Sequence, residues 1–393
     1  MDNARSGGSD RPLVAYFGND WGATNRTSSH HIAERLSRWA DVLYIDSPGM
    51  RPMRLQRSDL GRALRKFRES LARPVKLKDG LWRCTVPQLP FRRLPGMGAI
   101  NRVFVRWAVR RCLRGFGERR TISWFVVPHP GFLARRLGEA LCVYYCTDQY
   151  AAHPGVDSAY ITACDERLTR DADIVFVVPP ALLEAKRAVA RRVEFAPHGV
   201  DFDLFARAAD PAGPTPALLR GVRHPVVGYF GSIHEWTDVG LIAWLARQRP
   251  TYTFLLVGHV ACDPGELPQL SNVLLPGAQP YAELADWART FDVAILPYRL
   301  NQQVLNANPL KLREYLATGK PVVSVTNPEI EKFAGLVRIA HGREEFLAQL
   351  DAALREGDAA GSAARQAAVR PHTWDARAAD VYAIVRDALD ART

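Results

Sequence analysis

Short, β-branched apolar runs alternate with amphipathic stretches along almost the whole chain. Leu13-Val14-Ala15-Tyr16-Phe17 opens the series as a strand, and Gly18 to Gly22 forms a polar loop behind it. A helix near 28–40 follows, with Ile32, Leu36 and Trp39 on its apolar face, and Asp41 to Asp46 is the next strand. Strand, loop, helix and strand within about 35 residues make a βαβ unit. The same pattern predicts strands at 121–127, 141–146 and 173–178, and helices near 158–172 and 180–190. A second series begins at Pro225, with strands at 225–230, 252–257, 272–277, 291–298 and 321–325. Its helices are expected at 239–248, 284–290 and 309–318, and an Ala-rich helix runs to Ala391. Apolar runs without alternation are strands buried on both faces, as in parallel sheets. The expected class is therefore α/β, with two Rossmann-like, doubly wound domains. Residues 206–224, rich in Ala and Pro, read as linker.

Composition changes the picture little, and charge changes it more. With 393 residues, 47% apolar and 24% charged, the chain has the makeup of a soluble globular protein of two domains, or three. No run of apolar residues is long enough for a membrane-spanning helix. Met1 to Pro12 lacks the apolar region of a signal peptide. The six cysteines show no CxxC spacing, and Cys142 and Cys146 flank a strand, so they read as reduced packing residues of a cytoplasmic protein. The net charge of +11 is uneven: residues 51–120 hold 20 Lys/Arg against 4 Asp/Glu, a local +16, which leaves −5 on the rest. Two helices fit this basic segment, at 62–71 and 100–113. In the second, Ile100, Val103, Phe104, Trp107 and Ala108 form an apolar stripe, and Arg102, Arg106, Arg110 and Arg114 recur on another face. Two readings stand: an interfacial helix on an anionic membrane surface, or a core-packed helix with a solvated arginine face. No nucleic-acid-binding module accompanies the charge.

The candidate chemistry concentrates in Asn306 to Lys320. Asn308 suits an N-cap, Pro309 the first helical position and Gly319 the left-handed residue after the last turn. Leu312, Tyr315 and Leu316 share one helix face, while Lys311, Glu314 and Thr318 share another. The helix N-terminus favours a phosphate, and a carboxylate one turn inward can hold a ribose diol. The alternative is a solvated face with an i, i+3 ion pair. Elsewhere, ligands of open parallel sheets bind beyond the carboxyl ends of strands. Asn19, Asp20 and Trp21 lie in such a loop, as do His129 and Asp148. That first loop lacks GxGxxG spacing, which argues against a dinucleotide site. Asp171-Ala172-Asp173 and Asp201-Phe202-Asp203 look like metal-binding triplets. The first precedes a strand, and both are discounted as metal sites.

The string Pro309-x-Lys311-x-x-Glu314-Tyr315-Leu316-Ala317-x-Gly319-Lys320-Pro321-Val322-Val323 resembles the nucleotide-sugar motif of GT-B glycosyltransferases, specifically the retaining, family 4-like enzymes. Pro197-His198-Gly199-Val200-Asp201, followed by Phe205, resembles that family's linker between domains, which accounts for the second acidic triplet. The resemblance covers nearly the whole chain. It implies a GT-B fold with its two domains facing a cleft: residues 1–200 on the acceptor side, 201–372 binding the nucleotide sugar, and 373–393 a helix crossing back. It implies that Glu314 binds the donor ribose and that Lys311, with Asn308, Pro309 and Leu310 at the helix start, meets the diphosphate. Gly231, Ser232 and His234 would form the other donor-binding loop. Ser232 stands where the family commonly has an arginine, and Asn306 where it has a glutamate near the donor sugar. His129 and Lys311 are the catalytic candidates, and Asn19, Asp20, Trp21 and Asp148 lie on the acceptor side. No cofactor or metal is implied. The implied activity is transfer of a sugar from a nucleotide-diphosphate donor to a hydroxyl of a cell-envelope glycan or glycolipid, with retention. The setting is cytoplasmic, with peripheral attachment at the inner membrane face as an option and no nucleic-acid partner. The rival readings are an epimerase on a GT-B scaffold and a non-catalytic nucleotide-sugar-binding subunit.

Overall fold

The structure, a computed structural model, describes residues 11–23, 26–47, 73–86, 97–153, 155–355 and 359–392. The chain divides into two compact units, residues 1–197 with 377–393, and residues 198–376.

The first unit contains β1 (Leu13–Gly18), α1 (Ser28–Leu36), β2 (Asp41–Asp46), β3 (Val75–Lys78), β4 (Leu81–Thr85), α2 (Met97–Arg114), β5 (Thr121–Phe125), β6 (Leu141–Cys146), α3 (Ser158–Asp171), β7 (Ile174–Val177), α4 (Leu183–Arg187) and β8 (Val193–Phe195). Its sheet has the order β3-β4-β2-β1-β5-β6-β7-β8. Among the described residues of this sheet, only the β3/β4 hairpin is antiparallel. Both faces are covered, which is why the strands show no polar alternation. On one face Leu13, Ala15 and Phe17 pack with Val105 and Val109 of α2. On the other, Tyr16 stacks between Tyr44 and Trp124 at centroid distances of 5.3 and 5.9 Å. The chain's C-terminal residues return to this unit. Tyr382 stacks on Trp39 at 5.1 Å, and Arg392 donates to Asp173 at 2.5 Å.

The second unit contains α5 (Phe202–Ala206), β9 (Val226–Phe230), α6 (Val239–Gln248), β10 (Thr253–Val257), β11 (Val273–Gly277), α7 (Leu284–Ala288), β12 (Val293–Leu296), α8 (Gln302–Asn306), α9 (Leu310–Thr318), β13 (Val322–Val325), α10 (Pro328–Glu331), β14 (Arg338–Ala340), α11 (Arg343–Arg355) and α12 (Ala359–Val369). A last helix, α13 (Trp374–Asp390), follows. The sheet order β11-β10-β9-β12-β13-β14 is that of a Rossmann fold. The order reverses between β9 and β12. The crevice beyond the carboxyl ends of these two strands is where such sheets take ligands.

Three expectations need correction or limits, and one element was not expected. Residues 206–224 are not a loose linker. The buried guanidinium of Arg289 donates to the carbonyls of Arg207 (3.0 Å), Asp210 (2.7 Å) and Pro214, which pins that segment to the second unit. The proposed apolar stripe of α2 is not its core face. Ala108 is buried, but Ile100, Val103 and Trp107 are exposed, and Val105, Val109 and Cys112 make the core contacts instead. The helix expected at 62–71 lies outside the described residues. The β3/β4 hairpin within the basic segment went unpredicted, and it brings the Cys84 thiol within 2.9 Å of Cys112.

Candidate nucleotide-sugar site

Helix α9 is buried nearly all round, because Leu312 to Thr318 are all buried. Gly319 ends it at φ 75°, the left-handed position expected of it. The N-terminus differs from expectation by one residue and in its chemistry. Pro309 occupies the cap, and Asn308 does not cap the helix. Its amide is taken by a buried network: Arg313 donates to the Asn308 oxygen at 2.5 Å, and the Asn308 nitrogen donates to Glu329 at 2.9 Å. A buried guanidinium and carboxylate compete better for that amide than one backbone N–H, because charge-assisted hydrogen bonds are the stronger ones.

The solvated-face alternative is also overturned for Glu314, while Lys311 is half-buried. Glu314 is only 4% exposed and Thr318 1%. Burial pushes the Glu314 carboxyl up to about 7, against the opposing pull of Lys311 and of the Tyr281 hydroxyl, which donates to Glu314 at 3.3 Å. Burial alone would push the Lys311 ammonium down. The oxygens of Tyr229, Tyr298 and Glu314 around it outweigh that and hold it above its ordinary range, so it stays charged. Its Nζ sits 5.6 Å from the centroid of the Tyr229 ring.

Gly231 directly follows β9 at φ 121°. A side chain there would be strained, and its Cβ would fall 1.9 Å from Lys311 Cε. Gly231 is thus what lets the lysine lie against the strand end. Tyr315 fixes the same strand end from α9: Phe230 N–H donates to its hydroxyl at 2.8 Å, and the hydroxyl faces the Phe230 carbonyl at 3.3 Å. The loop after Gly231 is held locally. Tyr229 donates to the Ser232 carbonyl at 3.0 Å, the His234 ring stacks on Trp236 at 4.0 Å, and His234 pairs with Glu235. Asn306 ends α8, where Gln302 donates to its side chain at 3.0 Å. The buried Asn327 amide donates to the carbonyls of Val304, Leu305 (3.5 Å) and Ala307 (3.4 Å), tying down the segment that carries Asn306. Pro309 and Leu310 are half-buried at the start of α9, whose first amides have no acceptor within the helix.

The structure therefore gathers Gly231, Lys311 and Glu314, with Tyr229, Tyr281, Tyr298 and Tyr315, at the carboxyl ends of β9 and β12. The four tyrosines were missed. Tyr315 was read only as an apolar position, and Tyr281 gives no sequence signal at a separation of 33 residues from Glu314. A cavity of about 470 Å³ opens nearby, bounded in part by Tyr298, Leu300, Trp244 and Arg343, but neither Lys311 nor Glu314 lines it. The charged side chains, and not that cavity, locate the candidate site.

In the first unit, Asn19, Asp20 and Trp21 follow β1 in a braced loop. Tyr44 donates to the Asn19 carbonyl at 2.6 Å, and Asp46 accepts from Trp21 N–H at 2.9 Å. Arg83 bridges Asp46 (2.6 Å) and Asp20 (3.3 Å). His30 accepts from Thr27 N–H through Nδ1 at 3.0 Å, so its Nε2–H donates to the Asp20 carbonyl at 3.1 Å. Burial lowers the pKa of His30, in keeping with a neutral ring. Asp148 is held by His153 at 2.7 Å and by Gln149 N–H at 2.8 Å. His129 follows β5 as expected, but it is only 4% exposed, so its ring faces protein rather than an open edge.

Among the described residues no group of three or more His, Cys, Asp and Glu is placed to hold a metal ion. Asp173 is committed elsewhere: it accepts from Arg135, Arg392 and Cys142 N–H, and these partners lower its pKa although burial acts the other way. Asp201 stands at the N-cap of α5.

Residues 224–356 match the family model described as Glycosyl transferases group 1. The chain is 29% identical over 232 residues to TuaH of Bacillus subtilis, assigned to teichuronic acid biosynthesis as a glycosyltransferase. That match covers 55% of this chain and 58% of TuaH, so the chain spans little more than half the length of this curated relative. Among solved structures, α,α-trehalose 6-phosphate synthase of Burkholderia multivorans aligns with a TM-score of 0.69 at 12% identity, over 98% of this chain and all of that one. HepE of Anabaena, solved with UDP and glucose, aligns with a TM-score of 0.66 at 14% identity, over 96% of this chain and all of that one. The fold is GT-B, and the likeness to group 1 glycosyltransferases lies within the second unit, over residues 224–356.

Proposed function

We propose that this GT-B chain transfers a sugar from a nucleotide-diphosphate donor to a hydroxyl of a cell-envelope glycan or glycolipid, with retention. The observation that carries the reading is the buried Glu314 beside a half-buried Lys311 on α9, with Lys311 lying against Gly231. The pair matches the two ends of a nucleoside diphosphate. An ionised Glu314 accepts from both ribose hydroxyls, and Lys311 and the first amides of α9 face the phosphates. As the glycosidic bond breaks, negative charge grows on the leaving phosphate, and a fixed, desolvated ammonium stabilises it more than water would. The phosphate oxygen then takes the acceptor proton, so no protein nucleophile is needed. TuaH supports the cell-envelope acceptor, and HepE with UDP and glucose supports the donor class. No metal is required in this reading, because Lys311 supplies the positive charge. The location is cytoplasmic, with peripheral attachment to an anionic membrane surface.

One observation favours a second reading. Ser232 replaces the common arginine, and Lys311 is then the principal cation at the phosphates, which also suits a non-catalytic nucleotide-sugar-binding subunit. Incubation with UDP-, GDP- and ADP-sugars and a lipid extract separates the readings. A glycosylated acceptor with release of the nucleoside diphosphate supports transfer. An epimerised donor identifies the epimerase, and binding without turnover identifies the subunit.

A further inference from the structure

We infer that the outward face of α2 is a membrane-inserting ridge that seats the protein on anionic lipid. The inference rests on the peripheral-attachment part of the proposed function and is independent of the donor site. The helix has two apolar faces. One is spent on the core through Val105, Ala108, Val109 and Cys112. The other carries Ile100, Val103 and Trp107, which are 55%, 61% and 43% exposed. Their i, i+3, i+7 spacing aligns them on a single ridge. Phe104 stacks on Trp107 at 5.8 Å, and the Arg111 guanidinium lies 5.8 Å over the same indole.

Five arginines, at 102, 106, 110, 111 and 114, flank the ridge, and the helix contains no acidic residue. Such a ridge lying flat puts its apolar side chains among acyl chains and its guanidinium groups at the headgroups. Among the described residues no helix is long and apolar enough to cross a membrane. Charge selects the occupant. A second copy of this helix, or the strongly basic stretch 51–72, would bring like charge against like. Nucleic acid would satisfy the arginines and leave Ile100 and Val103 unused. An anionic bilayer satisfies both.

The test is co-sedimentation of the full chain with vesicles of phosphatidylcholine, alone or mixed with phosphatidylglycerol. It is run at about 0.1 M and about 1 M salt, where the Debye length falls from roughly 10 Å to 3 Å. The expected result is binding to the mixed vesicles at low salt, with a clear residue of binding at high salt. Val103→Ser/Trp107→Ser should abolish that residue, and Arg106→Ser/Arg114→Ser should weaken low-salt binding roughly tenfold or more. Bromine-labelled acyl chains should quench wild-type fluorescence and leave the Trp107 variant unquenched. All four positions lie on the outward side of the helix, so melting temperatures should match wild type. Wild-type binding that vanishes at high salt overturns insertion and leaves electrostatic attachment standing. No binding to the mixed vesicles at low salt overturns both. Equal binding to neutral and mixed vesicles overturns the role given to the arginines.

Discussion

Replacing Glu314 by Gln should make the protein more stable and bind donor less well. Burial holds the Glu314 carboxyl at about 7 against an ordinary value of 4.5. A folded-state pKa above the unfolded one means that stability is intact below pH 4.5 and is lost as pH rises through 7. At about 1.36 kcal/mol per unit, the wild type gives up roughly 3 kcal/mol by pH 8 through ionising this group in the fold. Glutamine is isosteric and pays no such cost, while Tyr281 can still donate to its oxygen. At roughly 2–4 °C per kcal/mol for a unit of this size, the second unit should melt about 6–12 °C higher at pH 8. The gain should shrink toward zero as pH approaches 5. Binding should move the other way, because a neutral amide accepts ribose hydroxyls less strongly than a carboxylate. The loss of a charge-assisted pair, roughly 1.5–3 kcal/mol, corresponds to a ten- to hundredfold weaker UDP affinity. Wild-type affinity should itself rise with pH through about 7 as the carboxylate forms. Scanning calorimetry at several pH values and isothermal titration with UDP at pH 8 read both signs. A variant that is less stable at pH 8, or one that binds UDP as wild type does, would refute the reasoning.

Further outcomes follow from the same site. Gly231→Ala combines a strained φ of 121° with a collision at Lys311 Cε, so it should cost UDP affinity at least tenfold by titration while the first unit's melting is unchanged. Tyr315→Phe leaves the buried Phe230 N–H without its 2.8 Å acceptor and should destabilise the second unit by about 1–3 kcal/mol in a urea titration. Transfer activity should survive excess EDTA. Loss that Mg²⁺ or Mn²⁺ restores would show that the acidic triplets were wrongly dismissed.

How far the sequence reached depended on the range of the signal. Uninterrupted runs such as Val226 to Phe230 mark buried parallel strands whatever surrounds them, and the two doubly wound sheets were legible for that reason. Lys311, Glu314 and Gly319 were legible because helical spacing places them without any tertiary knowledge. Asn308 was misread because its N-cap role lost to Arg313 and Glu329, the latter 21 residues away and bonded to it only after folding. The stripe of α2 was left between core and membrane surface because periodicity finds an apolar face without saying which of two faces the fold covers. Arg289 gave no signal at all. A lone arginine near the end of a short helix shows its use only when three carbonyls from 75 to 82 residues earlier converge on it.

The central claim, sugar transfer from a nucleotide donor held by Lys311 and Glu314, is tested most directly by following labelled sugar. Donors carrying uridine, guanosine and adenosine diphosphates are incubated with the protein and a bacterial lipid extract, and the label is traced between donor, free sugar and lipid. The account predicts label in a lipid or glycan product with one of these donors, release of the matching nucleoside diphosphate, and loss of both in Glu314→Ala and Lys311→Ala proteins that remain folded. Label that stays on the donor with every base, from a protein that binds that donor, would contradict it, as would transfer that persists undiminished in both variants.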